Sequence, residues 1–195
     1  MRKSRKTTAE TRQRIIETAS EEFRRNGIEK TGLSELMAAA GLTHGGFYKH
    51  FESKEQLAEE SVAFSIDSMI ESWRRTLSNA RPKRGLQTAV KEYLSTNLRD
   101  DVASGCPFAA LCSEMARDDQ SVRETSTTGF LKMVDLIAGQ LGGMSRPAAQ
   151  KEALWMFSSM IGAVVMARVV TDPEISDSIL REARKHLLRP SKDIR

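Results

Sequence analysis

Residues 31–57 read TGLSELMAAAGLTHGGFYKHFESKEQL, and this stretch decides the fold. Apolar residues in its first part recur at positions i, i+3, i+4 and i+7, namely Leu33, Leu36, Met37 and Ala40. This spacing predicts one apolar face on a short helix. Gly41 is expected to end that helix, because glycine readily adopts the left-handed conformation of a helix C-terminus. A second short helix after the turn, with the Thr43 hydroxyl as its N-cap, completes a predicted helix-turn-helix.

The second helix has an apolar face and a polar face. Phe47 and Phe51 are four residues apart, so both are expected to point into the core. Gly45 and Gly46 each disfavour a helix by roughly 1 kcal/mol relative to alanine, which indicates that something approaches the backbone closely. The side chains left on the polar face all donate hydrogen bonds, and they are Thr43, His44, Tyr48, Lys49 and His50. Such donors suit phosphate oxygens and guanine acceptors, so this helix is predicted to enter a DNA major groove.

A third helix is predicted to start at Lys54. Ser53 and Gln56 form a capping-box pattern, in which the serine hydroxyl satisfies a backbone N–H of the first turn. The unpaired N–H groups and the partial positive charge at such a helix end attract phosphate. We therefore expect the start of this helix to contact the DNA backbone.

Residues 41–57 resemble the signature of the tetracycline-repressor (TetR) family of bacterial transcription regulators. The turn, the aromatic pair, the histidine and the Ser53-Lys54 pair all coincide, and the resemblance spans about residues 10–60. It implies an all-helical homodimer with a small DNA-binding domain and a larger ligand-binding domain. By position, it implies contacts with bases or the nearby backbone by Thr43, His44, Gly45, Gly46 and Lys49. It implies contacts with phosphates by Thr31, Tyr48, His50 and Lys54.

The composition is that of a globular protein with a basic N-terminal part. With 195 residues, 39% of them apolar, the chain is long enough for a small domain and a medium one, which we place at residues 1–55 and 56–195. The first holds 11 Lys and Arg against 8 Asp and Glu, and the second holds 19 against 18. Four of the N-terminal charges are Arg2, Lys3, Arg5 and Lys6. They form either an arm that binds phosphates or an ordinary disordered terminus.

The rest of the chain has helical periodicity and no strand pattern. Further helices are predicted at 10–26, 54–79, 86–98, 106–116, 120–141, 147–170 and 173–189. The predicted fold is thus all-α with about nine helices: an N-terminal three-helix helix-turn-helix domain and a C-terminal helical domain for ligand binding and dimerisation. The helix from residue 54 reaches from the DNA surface into the second domain, so we expect it to link the two. Mixed charges in the first helix predict a solvated face made of Glu17, Glu21, Glu22, Arg24 and Arg25.

The helix at 147–170 is apolar nearly all round its middle, which is typical of a helix buried on more than one side. One side faces the domain core, and the other is predicted to meet a second copy of the chain. The interface residues predicted on it are Leu154, Phe157, Ser158, Ile161, Gly162 and Val165. The alternative is a central helix of a monomer.

Large, adaptable side chains in the second domain suit an apolar or aromatic ligand. The candidates are Trp73, Phe108, Met115, Phe130, Met133, Trp155, Met156 and Met160. Plain core packing is the alternative for each of them.

The two cysteines, Cys106 and Cys112, are too few for a disulfide framework and indicate a reducing cytoplasm. Cys106 is predicted at a helix N-terminus, which stabilises a thiolate, so a redox role and inert burial both stay open. The longest uncharged run, 153–167, falls short of the roughly 20 residues that span a membrane. No membrane association is predicted.

Signatures of enzymes are absent from the sequence: it has no nucleophile elbow, phosphate loop or dinucleotide fingerprint. Its histidines, His44, His50 and His186, have no metal-ligand spacing. We therefore predict no catalytic residue, no metal and no cofactor.

The sequence predicts a cytoplasmic DNA-binding regulator. In the leading interpretation it is a repressor that binds a palindromic operator as a homodimer and is released by a small-molecule effector. In the alternative, the same helix-turn-helix protein is regulated by a protein partner or by cysteine oxidation.

Overall fold

The computed structural model describes the backbone of residues 2–80 and 84–189 and the side chains from residue 7 onward in those ranges. The basic side chains Arg2, Lys3, Arg5 and Lys6 lie outside this description, and so do residues 81–83, which fall between the predicted helices at 54–79 and 86–98. Within it the chain is all helical, as predicted. The helices are α1 (Arg2–Asn26), α2 (Leu33–Ala39), a 3₁₀ helix (His44–Lys49), α3 (Lys54–Asn79), α4 (Gly85–Tyr93), α5 (Thr96–Asp100), α6 (Pro107–Met115), α7 (Gln120–Ala138), α8 (Arg146–Val169) and α9 (Pro173–Leu187).

The first three helices form the predicted helix-turn-helix unit. Leu36 and Met37 of α2 are fully buried against Ile15 and Phe23 of α1, which confirms the apolar face read from the spacing. Gly41 has a φ of +71° and ends α2, because the turn needs the left-handed conformation. The tight turn is closed by the Leu42 N–H, which donates to the Met37 carbonyl at 2.8 Å.

Helix α3 begins at Lys54 and ends at Asn79, as the sequence predicted. The Ser53 hydroxyl accepts a hydrogen bond from the Gln56 N–H at 3.2 Å, which confirms the N-cap. Leu57, near its start, and Trp73, near its other end, belong to one continuous core, and Trp73 packs against Tyr93 of α4. We call the part of this core around α4, α7 and α8 the second core. One unbroken helix therefore connects the two parts of the chain.

The second part is a bundle in which α7 packs on α3, α8 packs on α7, and α9 packs on α8. Helix α7 approaches α3 at Gly129, where a Cβ atom would lie 2.3 Å from Cγ2 of the buried Ile66. A side chain at this position would therefore collide with α3. Glycine at this position leaves the space that the Ile66 side chain occupies.

Several boundaries differ from the sequence prediction. The predicted helix at 86–98 is two helices, because Ser95 is extended and its hydroxyl caps α5 through the Leu98 N–H. The second helix of the motif is a 3₁₀ helix, and the Thr43 hydroxyl does not cap it. Gly45 and Gly46 lower the helix propensity there, and the Gly46 N–H donates to the Thr43 carbonyl in the shorter i to i+3 pattern.

Helix α8 is buried along one face and exposed along the other. Its core face includes Met156, Phe157 and Met160, which are 3% exposed or less. Among the described helices it alone has the length and hydropathy of a membrane span, but only 33% of its most apolar window is buried. The apolar residues exposed on its outer face are Leu154, Trp155, Met166 and Val169.

We predict that Gly129→Ala destabilises the protein by about 1–3 kcal/mol, because the added methyl group overpacks the contact with Ile66. Chemical denaturation monitored by circular dichroism measures this. Thr128→Ala, on the exposed side of the same helix, is the control and is expected to leave the stability within about 0.5 kcal/mol. Equal stabilities for the glycine variant and the control would contradict the close α3–α7 approach.

Candidate nucleic-acid interface

The outer side of the 3₁₀ helix carries a group of exposed polar residues. This recognition surface consists of Thr43, His44, Gly45, Tyr48 and Lys49, all of which are exposed. Beneath it, Phe47 and Phe51 are 0% and 3% exposed, and their rings stack at 5.6 Å, as the four-residue spacing predicted. The buried pair holds the short helix against the core, so that its polar side projects into solvent.

Two contacts orient the side chains of the recognition surface. Nδ1 of His44 lies 3.2 Å from the Ser34 hydroxyl of α2, so the imidazole is tied to the first helix of the motif. The Tyr48 ring packs edge-on against Phe47 at 5.2 Å while 66% of the residue stays exposed. Its hydroxyl is therefore free of the core and available to a ligand in solvent. Ser34 lies ten residues before His44, and no local pattern in the sequence predicts that pairing.

Thr31 differs from the role that the family resemblance implied. It is 3% exposed, and its hydroxyl donates to the Gly27 carbonyl at 2.6 Å, within the turn between α1 and α2. The threonine stabilises the turn and does not present its hydroxyl on the surface. Lys54, by contrast, is half-buried, and its Nζ reaches back to the Glu29 carbonyl at 3.2 Å.

Arg12 of α1 is a supporting residue that the sequence pattern did not reveal. Its guanidinium lies 4.5 Å above the Phe51 ring, donates to the His50 carbonyl at 3.3 Å and pairs with Glu60 of α3 at 2.5 Å. It thus connects α1, the end of the 3₁₀ helix and α3. His50 itself is half-buried, and its Nδ1 is buried without a hydrogen-bond partner among the described residues.

The start of α3 is already partly occupied by groups of the chain itself. The Glu52 N–H donates to the Gln56 side chain at 2.7 Å, and the Ser53 hydroxyl accepts from the Gln56 N–H. The Glu55 carboxylate lies at this end, where its own backbone N–H and the Ser53 hydroxyl lower its pKa. A phosphate at this helix end would compete with that carboxylate, so the free N-terminus predicted from sequence is only partly available.

Helix α6 contacts the helix-turn-helix unit through Glu114. Its carboxylate accepts hydrogen bonds from the N–H groups of Ile28 and Glu29 at 2.7 and 3.1 Å. Gly27, with φ of +88°, leaves room for this approach, because a Cβ there would lie 2.8 Å from Oε1 of Glu114. The turn between α1 and α2 is thereby fixed to the second part of the chain.

Arg24 was predicted on a solvated face, and the structure shows that this is wrong. It is 9% exposed, and its guanidinium donates to the Ala103 carbonyl and to the Ser65 hydroxyl. Burial lowers the pKa of this guanidinium, while the charge of Glu21 opposes the shift. It follows Ser20 by one helical turn, and both residues lie on the buried side of α1.

The residues proposed for ligand binding are mostly packed against one another. Phe108 and Phe130 belong to an aromatic cluster with Tyr93 and Phe157, in which the centroids of contacting rings are 5.3–6.2 Å apart. Phe157 was predicted at a subunit interface. It is 0% exposed inside this cluster, so that prediction is wrong. Trp155 is 48% exposed and points away from the core, so it does not line an internal pocket. The other candidates, all at most 7% exposed, are Trp73, Met115, Met133, Met156 and Met160.

The environment of Cys106 favours the thiol over the thiolate. It precedes Pro107 at the start of α6 and is 2% exposed, and this burial raises the pKa of its thiol. The expected stabilisation of a thiolate by the helix end is therefore outweighed by desolvation. Cys112 is exposed, and no group of three or more His, Cys, Asp or Glu side chains among the described residues is placed to hold a metal.

Comparison with known proteins identifies both parts of the chain. Residues 15–61 match the model of bacterial regulatory proteins of the tetR family, and residues 63–185 match the C-terminal domain of LmrA/YxaF-like transcriptional regulators. The chain belongs to the TetR family. This TetR-family protein is therefore a DNA-binding transcriptional regulator, and the family consists of regulators rather than enzymes.

Individual relatives agree with that assignment. The regulator LmrA of Bacillus subtilis is 26% identical over 81% of this chain and 86% of its own length. A probable acrEF/envCD operon repressor of Escherichia coli is 48% identical, but the match spans 26% of this chain and 23% of that repressor. Among solved structures, a TetR regulator of Chloroflexus aurantiacus has a TM-score of 0.74 at 26% identity, covering 96% and 94% of the two chains. Reduced NemR of E. coli has a TM-score of 0.77 at 20% identity, covering 92% and 95%, and shows the shared fold.

We predict that Tyr48→Phe weakens DNA binding without changing the melting temperature, because it removes only an exposed hydroxyl. Phe47→Ala is the contrasting variant and should destabilise the protein by about 3–5 kcal/mol, since the ring is fully buried. Thermal melts and DNA titrations of both variants measure this. A large melting shift for Tyr48→Phe would place its hydroxyl in the folded core and contradict the assignment.

Proposed function

We propose that this regulator is a cytoplasmic repressor that binds a palindromic operator as a homodimer and leaves it when a small molecule binds. The observation that supports this most is the recognition surface, a set of exposed hydrogen-bond donors held on a buried aromatic pair. Relatives point the same way, since the repressor DhaR of Mycobacterium sp. is 24% identical over 94% of the chain.

In the proposed complex the side chains near the 3₁₀ helix divide into two roles. His44 and Lys49 read base edges, together with Thr43 and the backbone at Gly45 and Gly46. Tyr48, His50 and Lys54 bind phosphates and orient the protein. Lys54 lies on α3 at the edge of the recognition surface, where its Nζ donates to the Glu29 carbonyl. In the proposed complex it donates to a phosphate oxygen instead.

The outer face of α8 supports the proposed dimer. Leu154 is 40% exposed and Ser158 and Gly162 are exposed, while Ile161 and Val165 are half-buried beside them. Trp155, Met166 and Val169 extend the same face, as described above. An apolar stripe of this length with small residues at its middle fits a second copy packed on the same surface, which is the isologous arrangement of a twofold dimer.

Ligand release is proposed to act through α3 and α6, since both helices contact the helix-turn-helix unit and the second core. A ligand that shifts either helix changes the distance between the two recognition surfaces of a dimer. The centre of the second part is filled by the aromatic cluster, and this favours a ligand site at its edge. Regulation by a protein partner, or by oxidation at the exposed Cys112, is the alternative.

We predict that DNA binding falls steeply with salt and that single lysine variants separate the two roles. Each neutralised phosphate contributes about 0.9 to the slope of log affinity against log salt. Lys54→Ala should weaken binding to all sequences alike and lower that slope by about 1. Lys49→Ala and His44→Ala should change the sequence preference. Both effects are measured by selecting bound DNA from a random pool and then titrating it at several salt concentrations. A changed sequence preference in Lys54→Ala, with uniform weakening in Lys49→Ala and His44→Ala, would contradict the assigned roles.

We predict that Gly162→Asp gives a folded monomer that binds the operator weakly. A Cβ at Gly162 meets no atom within 4 Å in the subunit, so the substitution fits the monomer and places an unpaired charge in the proposed interface. Sedimentation and circular dichroism check assembly and folding. Gly142→Asp, at an equally open glycine outside the helices, is the control and should remain dimeric. A Gly162→Asp protein that still sedimented as a dimer would place the interface elsewhere.

A further inference from the structure

A cavity of about 170 Å³ lies at the junction of the helix-turn-helix unit and the second part of the chain. It is formed by α1, α3, α4 and the segment that precedes α6. The apolar side of the cavity includes Phe64, Met69 and Trp73 of α3. Its polar side includes Arg24, Tyr93 and Cys106, which come from three different elements. Of the residues that line it, Trp73 is the one that the sequence pattern predicts to contact a ligand.

Arg24 enters this cavity as a buried positive charge without a carboxylate partner. Its hydrogen bonds go to two neutral acceptors, the Ala103 carbonyl and the Ser65 hydroxyl, and none from its Nη2 is found among the described residues. The carboxylates whose charge acts on it, Glu21 and Asp101, are both exposed. Buried charges in proteins are ordinarily paired, because an uncompensated charge in a low-dielectric interior is costly. The geometry therefore leaves room for an anion.

A second polar group in the cavity also lacks a partner. The Tyr93 hydroxyl is buried beside the Cys106 thiol, a weak hydrogen-bond partner, and no nitrogen or oxygen atom in the described part of the chain pairs with it. An unsatisfied buried hydroxyl commonly marks a position that a ligand or an ordered water occupies. Another guanidinium, that of Arg168, acts on the same region and donates to three backbone carbonyls, those of Leu98, Arg99 and Ala109. The local charge is thus positive.

We propose that this cavity binds a small aromatic carboxylate of about the size of benzoate. Its carboxylate pairs with Arg24 and accepts a hydrogen bond from Tyr93, and its ring packs beside Trp73 and Met69. The volume fits this class, since a cavity of about 150 Å³ is sufficient for benzene. The planar guanidinium suits a carboxylate, because it offers parallel N–H donors.

The position of the cavity makes such a ligand a regulator, and this consequence rests on the proposed function. Arg24 belongs to the first helix of the DNA-binding unit, and it holds that unit to Ser65 of α3 and to Ala103 before α6. A bound carboxylate competes with these two acceptors for the same guanidinium. The contacts between the DNA-binding unit and the second part therefore change when the ligand binds.

The test is isothermal titration of the full chain, free of DNA, with benzoate, 2-hydroxybenzoate and 4-hydroxybenzoate. Benzamide and benzyl alcohol serve as neutral counterparts. We expect at least one of the acids to bind, and its neutral counterparts to bind at least about tenfold more weakly, since a hydrogen bond to a charged group is lost. Binding of none of the three acids, or equal binding of acid and amide, overturns the proposal.

Variants locate the site. Arg24→Gln should lower the affinity for the bound acid at least about tenfold, whereas Arg74→Gln, at an exposed arginine on the outer side of α3, should leave it unchanged. Tyr93→Phe removes only the weak contact of the hydroxyl with the Cys106 thiol, so it should fold as the parent chain does and bind the acid several-fold more weakly. Circular dichroism confirms folding of each variant. Unchanged affinity in both folded cavity variants overturns the assignment.

Operator titrations with and without the bound acid separate this inference from the proposed function. Release of the operator by the acid, with several-fold more acid needed for Tyr93→Phe, supports both. Binding of the acid without release supports the cavity as a site and overturns its regulatory role. Binding of the acid by a chain that binds no DNA sequence supports the site and overturns the proposed function instead.

Discussion

The structure depends on one continuous helix, α3, that packs against α1 at one end and against α4 and α7 farther along, through one continuous core. Ser53 caps its start beside the recognition surface, and Leu57 fills the helix-turn-helix core one turn later. Farther along, Ile66 and Trp73 belong to the second core. Because a helix is stiff along its axis, the two parts cannot move independently without bending α3 or shifting the contacts beside it. The geometry of the DNA-binding unit is thus coupled to packing around the second core.

Two side-chain contacts beside α3 strengthen that coupling. Arg24 reaches from α1 to Ser65 and Ala103, and Glu114 reaches from α6 to the backbone of the turn after α1. Both involve charged groups bound to neutral partners, and a competing charged group can take the place of such a partner. In the proposed mechanism these are the contacts through which a change in the second part reaches the recognition surface.

Helix α8 has one face in the core and one face that is available for the proposed assembly. Its inner face contributes Phe157 to the aromatic cluster, and its outer face exposes apolar side chains on either side of Gly162. Overall apolarity in the sequence indicated two buried sides, but the interface residues chosen from it wrongly included Phe157. Ring contacts with other helices place Phe157 inward, while Trp155 faces solvent.

The sequence by itself determined the helical fold class, the α3 boundaries and the burial of Phe47 and Phe51, because these depend on spacing and capping within a few residues. The same local patterns predicted a helix at Gly45 and Gly46 but did not predict that it would be a 3₁₀ helix. Only the tertiary structure decided that Thr31 is buried, that Arg24 turns inward and that Arg12 supports His50 from 38 residues away. These outcomes depend on which groups meet across helices, and periodicity along one helix carries no information about the polar partners on another.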